Sequence, residues 1–242
     1  MRGARLRALL LGLIALGAVA VVYLAFARPA AVPPRAAEKN RPTLLLLTSL
    51  PLLFGEDFSL EGAGSPALAA LRKHYRVVPI SVASPQELAK GRLLLMAQPL
   101  AQPAEDLVAL DQWVRDGGGV LLFADPLLEW PSEKPLGDPT RPPPMFADTG
   151  LLAHWGLRLD APDERGIKEA RLGNFPVKTS SPGRIVGKGC SIGADGIVAR
   201  CAIGKGKATV VADADLLDIP DLGSGSSRNL DAVLAELAAL QP

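Results

Sequence analysis

The chain has 242 residues, 48% of them hydrophobic, enough for one or two domains with a sizeable core. Its net charge of +1 is unevenly placed: residues 1–41 carry seven basic side chains and one acid, a local +6 that leaves −5 for the rest. A mildly acidic globular part gives no support to nucleic-acid binding.

The apolar stretch from Leu6 to Ala27 is long enough to cross a bilayer. Arg2, Arg5 and Arg7 stand at its start, and positive charge stays on the cytoplasmic side. This predicts a single-pass protein of the bacterial inner membrane, with a cytoplasmic N-terminus and a periplasmic C-terminal domain. Ala25-Phe26-Ala27 has the small-x-small form of a signal-peptidase site, so cleavage is the rival reading. The length of the apolar stretch exceeds that of a signal peptide and favours an uncleaved anchor. Residues 1–28 are then a cytoplasmic tip and transmembrane anchor, 29–42 a Pro/Ala-rich linker, and 43–242 the exported domain.

Continuous apolar runs mark strands covered on both faces, as in a parallel sheet. Thr43–Thr48, Leu93–Ala97, Val120–Ala124 and Lys207–Asp213 are such runs. Tyr75–Val82 is a further strand, and Pro79 suits a sheet edge. Ser65-Pro66 opens a helix that reaches about His74, and Ser84-Pro85-Gln86-Glu87 reads as a capping box. Pro103 fits the first turn of another helix, whose apolar stripe is Leu107, Leu110, Trp113 and Val114 and whose left-handed stop is Gly117. Leu127–Pro144 is a long proline-rich loop, and loops of that length are usually functional or disordered. Asp148–Trp155 reads as helical, Leu157–Leu159 as a short strand and Asp163–Ser181 as an irregular β insertion. Asn229–Leu240 is an amphipathic helix.

Gly189–Gly206 predicts a β-hairpin turning at Asp195-Gly196. In that register Cys190 faces Cys201 as a hydrogen-bonded pair, within reach of a disulfide. An exported domain meets an oxidising compartment, so the pair is expected to be oxidised.

Asp125, Asp213 and Asp215 each follow a core strand at the C-terminal edge of the sheet, where open α/β sheets bind ligands. They are candidate contacts for a polar ligand or metal, with loop N–H bonding as the plain alternative. The loop residues Glu56 and Asp57 share that edge. No G-x-S-x-G or P-loop occurs, and His74 and His154 show no metal-ligand spacing with the cysteines. No catalytic residue, metal site or cofactor is expected from these patterns.

The segment QPLAQPAEDLVALDQWVRDGGGVLLFADP resembles the strand–helix–Gly-Gly–strand–Asp-Pro segment of auxiliary domains of uncharacterised ABC transport systems, gliding-motility transporter auxiliary proteins among them. GKGKATVVADADLLD and NLDAVLAELAAL resemble the closing strand, acidic pair and helix of that group. The resemblance implies a flavodoxin-like, class I glutamine amidotransferase-like fold: a mostly parallel sheet with a β-hairpin insertion. In the amidotransferases a Cys nucleophile ends the strand matching Val120–Ala124, and here Ala124-Asp125 stands there. Their later His-x-Glu is replaced by Ala212-Asp213-Ala214-Asp215. The expectation is therefore a non-enzymatic accessory domain of an ABC-type transport or envelope system, partnered by permease or ATPase subunits. A carbohydrate- or small-polar-ligand-binding domain is the alternative, and a metal-assisted hydrolase using the three aspartates is a further one.

Overall fold

Residues 31–35, 37–54 and 64–241 are described by the computed structural model. The predicted anchor at Leu6–Ala27 and the loop residues Glu56 and Asp57 lie outside the described residues. Among the described residues, no helix is long and apolar enough to cross a membrane.

After a 3-10 turn at Glu38–Asn40, strand β1 (Thr43–Thr48) enters the centre of the fold. Helix α1 (Pro66–His74) starts where the Ser65 hydroxyl accepts the Leu68 N–H, so one of its orphan donors is satisfied. Strand β2 (Arg76–Pro79) and the one-turn helix α2 (Pro85–Leu88) follow, the latter capped by Ser84. Strand β3 (Leu93–Ala97), helix α3 (Ala104–Arg115) and strand β4 (Gly119–Phe123) form the predicted βαβ unit. Pro103 occupies the N-cap position, one residue earlier than expected. Gly117 takes φ 104°, a left-handed conformation that stops the helix.

The proline-rich loop runs without regular structure to a single helical turn, α4 (Leu151–His154). The longer helix expected from Asp148 is cut short by left-handed Gly150, and the Asp148 carboxylate accepts the N–H groups of Gly150 and Leu152. Strand β5 (Leu157–Asp160) pairs with β8 (Arg184–Gly187) in a small sheet. Between them, Asp163–Ser181 is not irregular: it folds as a regular antiparallel hairpin of β6 (Ile167–Leu172) and β7 (Phe175–Ser180). Strands β9 (Cys190–Ile192), β10 (Val198–Ile203) and β11 (Gly206–Val211) precede helix α5 (Ser227–Leu240).

The main sheet has the order β2-β1-β3-β4-β11-β10-β9. Its first five strands are parallel. Numbered among themselves, those five follow the flavodoxin-like order 2-1-3-4-5. The cysteine hairpin is not an insertion beside the sheet, because β10 pairs with β11 and carries the sheet on to its edge. The expected edge position of Pro79 holds, since β2 is the other edge.

Side-chain alternation explains the continuous apolar runs. Leu44, Leu46, Leu95, Leu121 and Phe123 pack on one face, against α1, α5 and the β6–β7 hairpin. Leu45, Leu94, Met96, Val120 and Leu122 pack on the other, against α3, α4 and the β5–β8 pair. Burying one such leucine stabilises the fold by roughly 1.5–3 kcal/mol. A Cβ at Gly206 would overlap the carbonyls of Val114 and Gly118, so β11 can begin directly beneath the end of α3 only with glycine there.

Cys190 and Cys201 form the expected disulfide, and they pair in the predicted register. The hydrogen-bond phase differs. Gly193 donates to the Val198 carbonyl at 2.8 Å, and Gly196 closes a turn back onto Gly193, so the loop is wider than two residues. Alternation then leaves Cys190–Cys201 at a non-hydrogen-bonded position, with Cα atoms 4.4 Å apart.

Candidate functional site at the carboxyl edge of the sheet

β4 and β11 are parallel neighbours, so the residues just past their ends are brought side by side. Asp125 follows β4; Asp213 and Asp215 follow β11. One oxygen from each of the three carboxylates lies within 4.8 Å of the others. Asp125 and Asp213 are fully buried and Asp215 is 3% exposed.

Each carboxylate holds backbone from a different segment. Asp125 accepts the N–H of Leu127 at 2.8 Å and that of Ala214 at 2.7 Å. Asp213 accepts the N–H of Leu216 at 2.8 Å and that of Ser180, from the end of β7, at 2.9 Å. Asp215 Oδ2 accepts the N–H of Glu129, in the proline-rich loop, at 2.8 Å. Asp215 Oδ1 is buried and has no hydrogen-bond partner.

Four further residues complete the surroundings. Gln98, fully buried after β3, takes the Asp125 N–H on its side-chain oxygen at 2.9 Å. Its side-chain nitrogen donates to the carbonyls of Asp125 and Pro143. Glu129 accepts the hydroxyls of Ser180 and Ser181 at 2.7 and 2.8 Å. Gln98 (φ 43°) and Ser181 (φ 49°) are the non-glycine residues in the left-handed region among the described residues. Such conformations cost about 1–3 kcal/mol each and persist where the surroundings over-determine them. The sharp turn of this edge is therefore at Gln98, after β3, and not at Ala124-Asp125.

The electrostatics follow from crowding and burial. Burial pushes Asp125 up to about 6, and the Glu129 charge adds to the rise against its N–H bonds. Burial also pushes Asp213 well above the usual carboxylate range, with the charges of Asp125 and Asp215 adding to it. Asp215 is pushed up to about 8, first by burial and then by Asp125. Among the described residues, no lysine or arginine forms an ion pair with any of the three. With its carboxyls ionised the arrangement is an acceptor-only pocket of negative charge, suited to a cation; protonated, the same groups offer O–H donors as well.

The sequence places all three aspartates correctly at this edge. It also places Gln98 at this edge, directly after Leu93–Ala97, but not its hold on Asp125; Glu129, Ser180 and Ser181 lie in no motif. Their position beside Pro-rich or strand-end segments is the one available signal. The two histidines play no part: His154 stands beside Asp111 on the α3 side, and His74 ends α1.

Residues 41–184 match the family described as an ABC-type uncharacterized transport system. The chain belongs to that family. The matched segment runs from just before β1 into β8 and includes Gln98, Asp125 and Glu129; Asp213 and Asp215 lie beyond it. No curated protein matches the sequence. Among solved structures, two cytoplasmic proteins of Salmonella typhimurium share the fold. One is 12% identical with a TM-score of 0.53, covering 82% of this chain and 98% of its own. The other is 11% identical with a TM-score of 0.50, covering 83% and 100%. An exo-β-1,4-mannosidase from Opitutaceae bacterium strain TAV5 is 16% identical with a TM-score of 0.49 over 83% of this chain. The chain spans 36% of that enzyme's length. The two Salmonella likenesses are of fold alone, and the family membership rests on the sequence match.

Proposed function

We propose that this chain is the exported, membrane-tethered accessory domain of an ABC-type transport system, working by binding and not by bond-making chemistry. The observation that carries the reading is the family match over residues 41–184. The apolar stretch Leu6–Ala27, with arginines at its start, supports a single span with the domain in the periplasm. The Cys190–Cys201 disulfide supports the same address, since such bonds persist in oxidising compartments.

Binding without catalysis fits the edge of the sheet. The turn after β3 carries Gln98, whose amide is consumed in holding Asp125 and Pro143. The hydroxyls at this edge are engaged in holding the fold: Ser49 donates to the Gln98 carbonyl, and Ser180 and Ser181 donate to Glu129. A carbohydrate-binding or hydrolytic role would need the aspartates to meet a substrate, and Asp125 and Asp213 present no surface to solvent.

Affinity purification of the tagged full chain from detergent-solubilised membranes tests the proposal. Permease and ATPase subunits are expected to be enriched together with it. A preparation in which no transporter subunit exceeds the untagged control would overturn the accessory role.

A further inference from the structure

Three carboxylates have been taken out of water at one point without a cationic side chain to meet them. Buried charges normally persist only when paired or when they coordinate a metal. Hydrogen bonds cover part of the cost. All four oxygens of Asp125 and Asp213 accept a backbone N–H. That ring of donors favours the ionised carboxylates, because an N–H bonds more weakly to a protonated oxygen. It does nothing for their mutual repulsion.

Asp215 shows what is missing. Its Oδ2 is used by the Glu129 N–H, and its Oδ1 is buried with no partner. An unmet buried acceptor costs about 1–3 kcal/mol, and more when charged. The three oxygens, all within 4.8 Å of one another, are close enough for one ion to touch all of them at about the 2.3–2.6 Å distance of calcium–oxygen bonds. The donors are all oxygen, with no nitrogen or sulfur among them, which suits hard cations and disfavours zinc or copper. Their directions are fixed by backbone hydrogen bonds instead of by octahedral symmetry. Calcium tolerates such irregular coordination, whereas magnesium does not.

We infer that Asp125, Asp213 and Asp215 bind one calcium-class divalent cation, with the unpartnered Asp215 Oδ1 as a direct ligand. The ion acts as a clasp. It joins the ends of β4 and β11 and, through the backbone that the carboxylates hold, fixes the proline-rich loop at Glu129 and the end of β7 at Ser180. This inference does not depend on the transporter role: cation binding is read on the purified chain alone, and the membrane purification can fail while it stands.

The test uses the full chain purified in detergent and stripped with a chelator. Titrated calcium is expected to bind at one ion per chain by calorimetry and to raise the melting temperature by about 5 °C or more at saturation. Zinc at equal concentration is expected to give no comparable rise. Asp215→Asn keeps the side-chain volume and removes one charge, so its metal-free melting temperature is expected to exceed that of the metal-free parent while its calcium response disappears. Asp218→Asn, altered at a neighbouring acid outside the trio, is expected to keep the full response. No calcium binding by the parent chain, a response to zinc alone, or an undiminished calcium response in Asp215→Asn would each overturn the inference.

Discussion

Asp215 and its two neighbours make stability depend on pH in an unusual direction. The common case is an acid whose carboxyl is held below its unfolded value, so that stability is lost on acidification. Here burial raises the folded values above the ordinary 3.8: Asp125 to about 6 and Asp215 to about 8. Below about pH 4 these groups are protonated in both states and cost nothing. As pH rises, the unfolded chain releases its protons first, so the folded state binds more protons and stability falls until the folded values are passed. The metal-free chain is therefore expected to lose stability between about pH 4 and 8, on the order of 3 kcal/mol through Asp125 alone. Urea unfolding at pH 5.5 and pH 8 in chelator checks it, with Asp215→Asn expected to show a shallower fall than the parent. Equal pH slopes in the two chains would contradict the assignment. The three aspartates are legible in the sequence because each lies just past the C-terminal end of a core strand. Gln98 is legible as an edge residue after Leu93–Ala97, but its bond to Asp125 is not, nor are Glu129 and Ser180, because the partners lie 27, 86 and 33 residues away and only the folded sheet brings them together.

At the scale of elements, the β9–β10 hairpin carries the clearest consequence. Its disulfide closes a loop of sequence separation 11, which constrains the unfolded chain by about 2–3 kcal/mol in the loop-entropy account. Replacing both cysteines by serine is expected to lower the unfolding free energy by that amount in urea titrations while leaving β10 paired to β11. A double variant as stable as the oxidised parent would show that the bond constrains nothing. Four of the five parallel strands, β1, β3, β4 and β11, are readable because burial on both faces leaves their centres apolar, whereas β2 is a partly exposed edge. The hairpin register was readable because Asp195-Gly196 fixes the pairing, but its hydrogen-bond phase was not, since that depends on how many residues the loop spends in turning. The β6–β7 hairpin is hidden in the sequence for a different reason. Ile167–Leu172 exposes alternate side chains on its own two-stranded sheet, and only residues such as Leu172 and Val177 reach the core.

For the whole molecule, the strongest expectation concerns its tether. With residues 1–28 intact, the chain is expected to resist carbonate extraction from membranes. Lacking them and secreted with a cleavable leader, it is expected to appear in the soluble periplasmic fraction. A full chain released by carbonate would remove the anchor reading and leave the fold untouched. The two borders of the main sheet also limit how any partner can take hold. One border, β2, is four residues long and ends in Pro79; the other, β9, has three residues and is cross-linked to the strand beside it. Neither offers the long, flat row of free N–H and C=O groups that a foreign strand needs for β-augmentation. Strand addition at either border of the main sheet is therefore disfavoured, and growth of that sheet by edge-to-edge pairing is opposed at both ends.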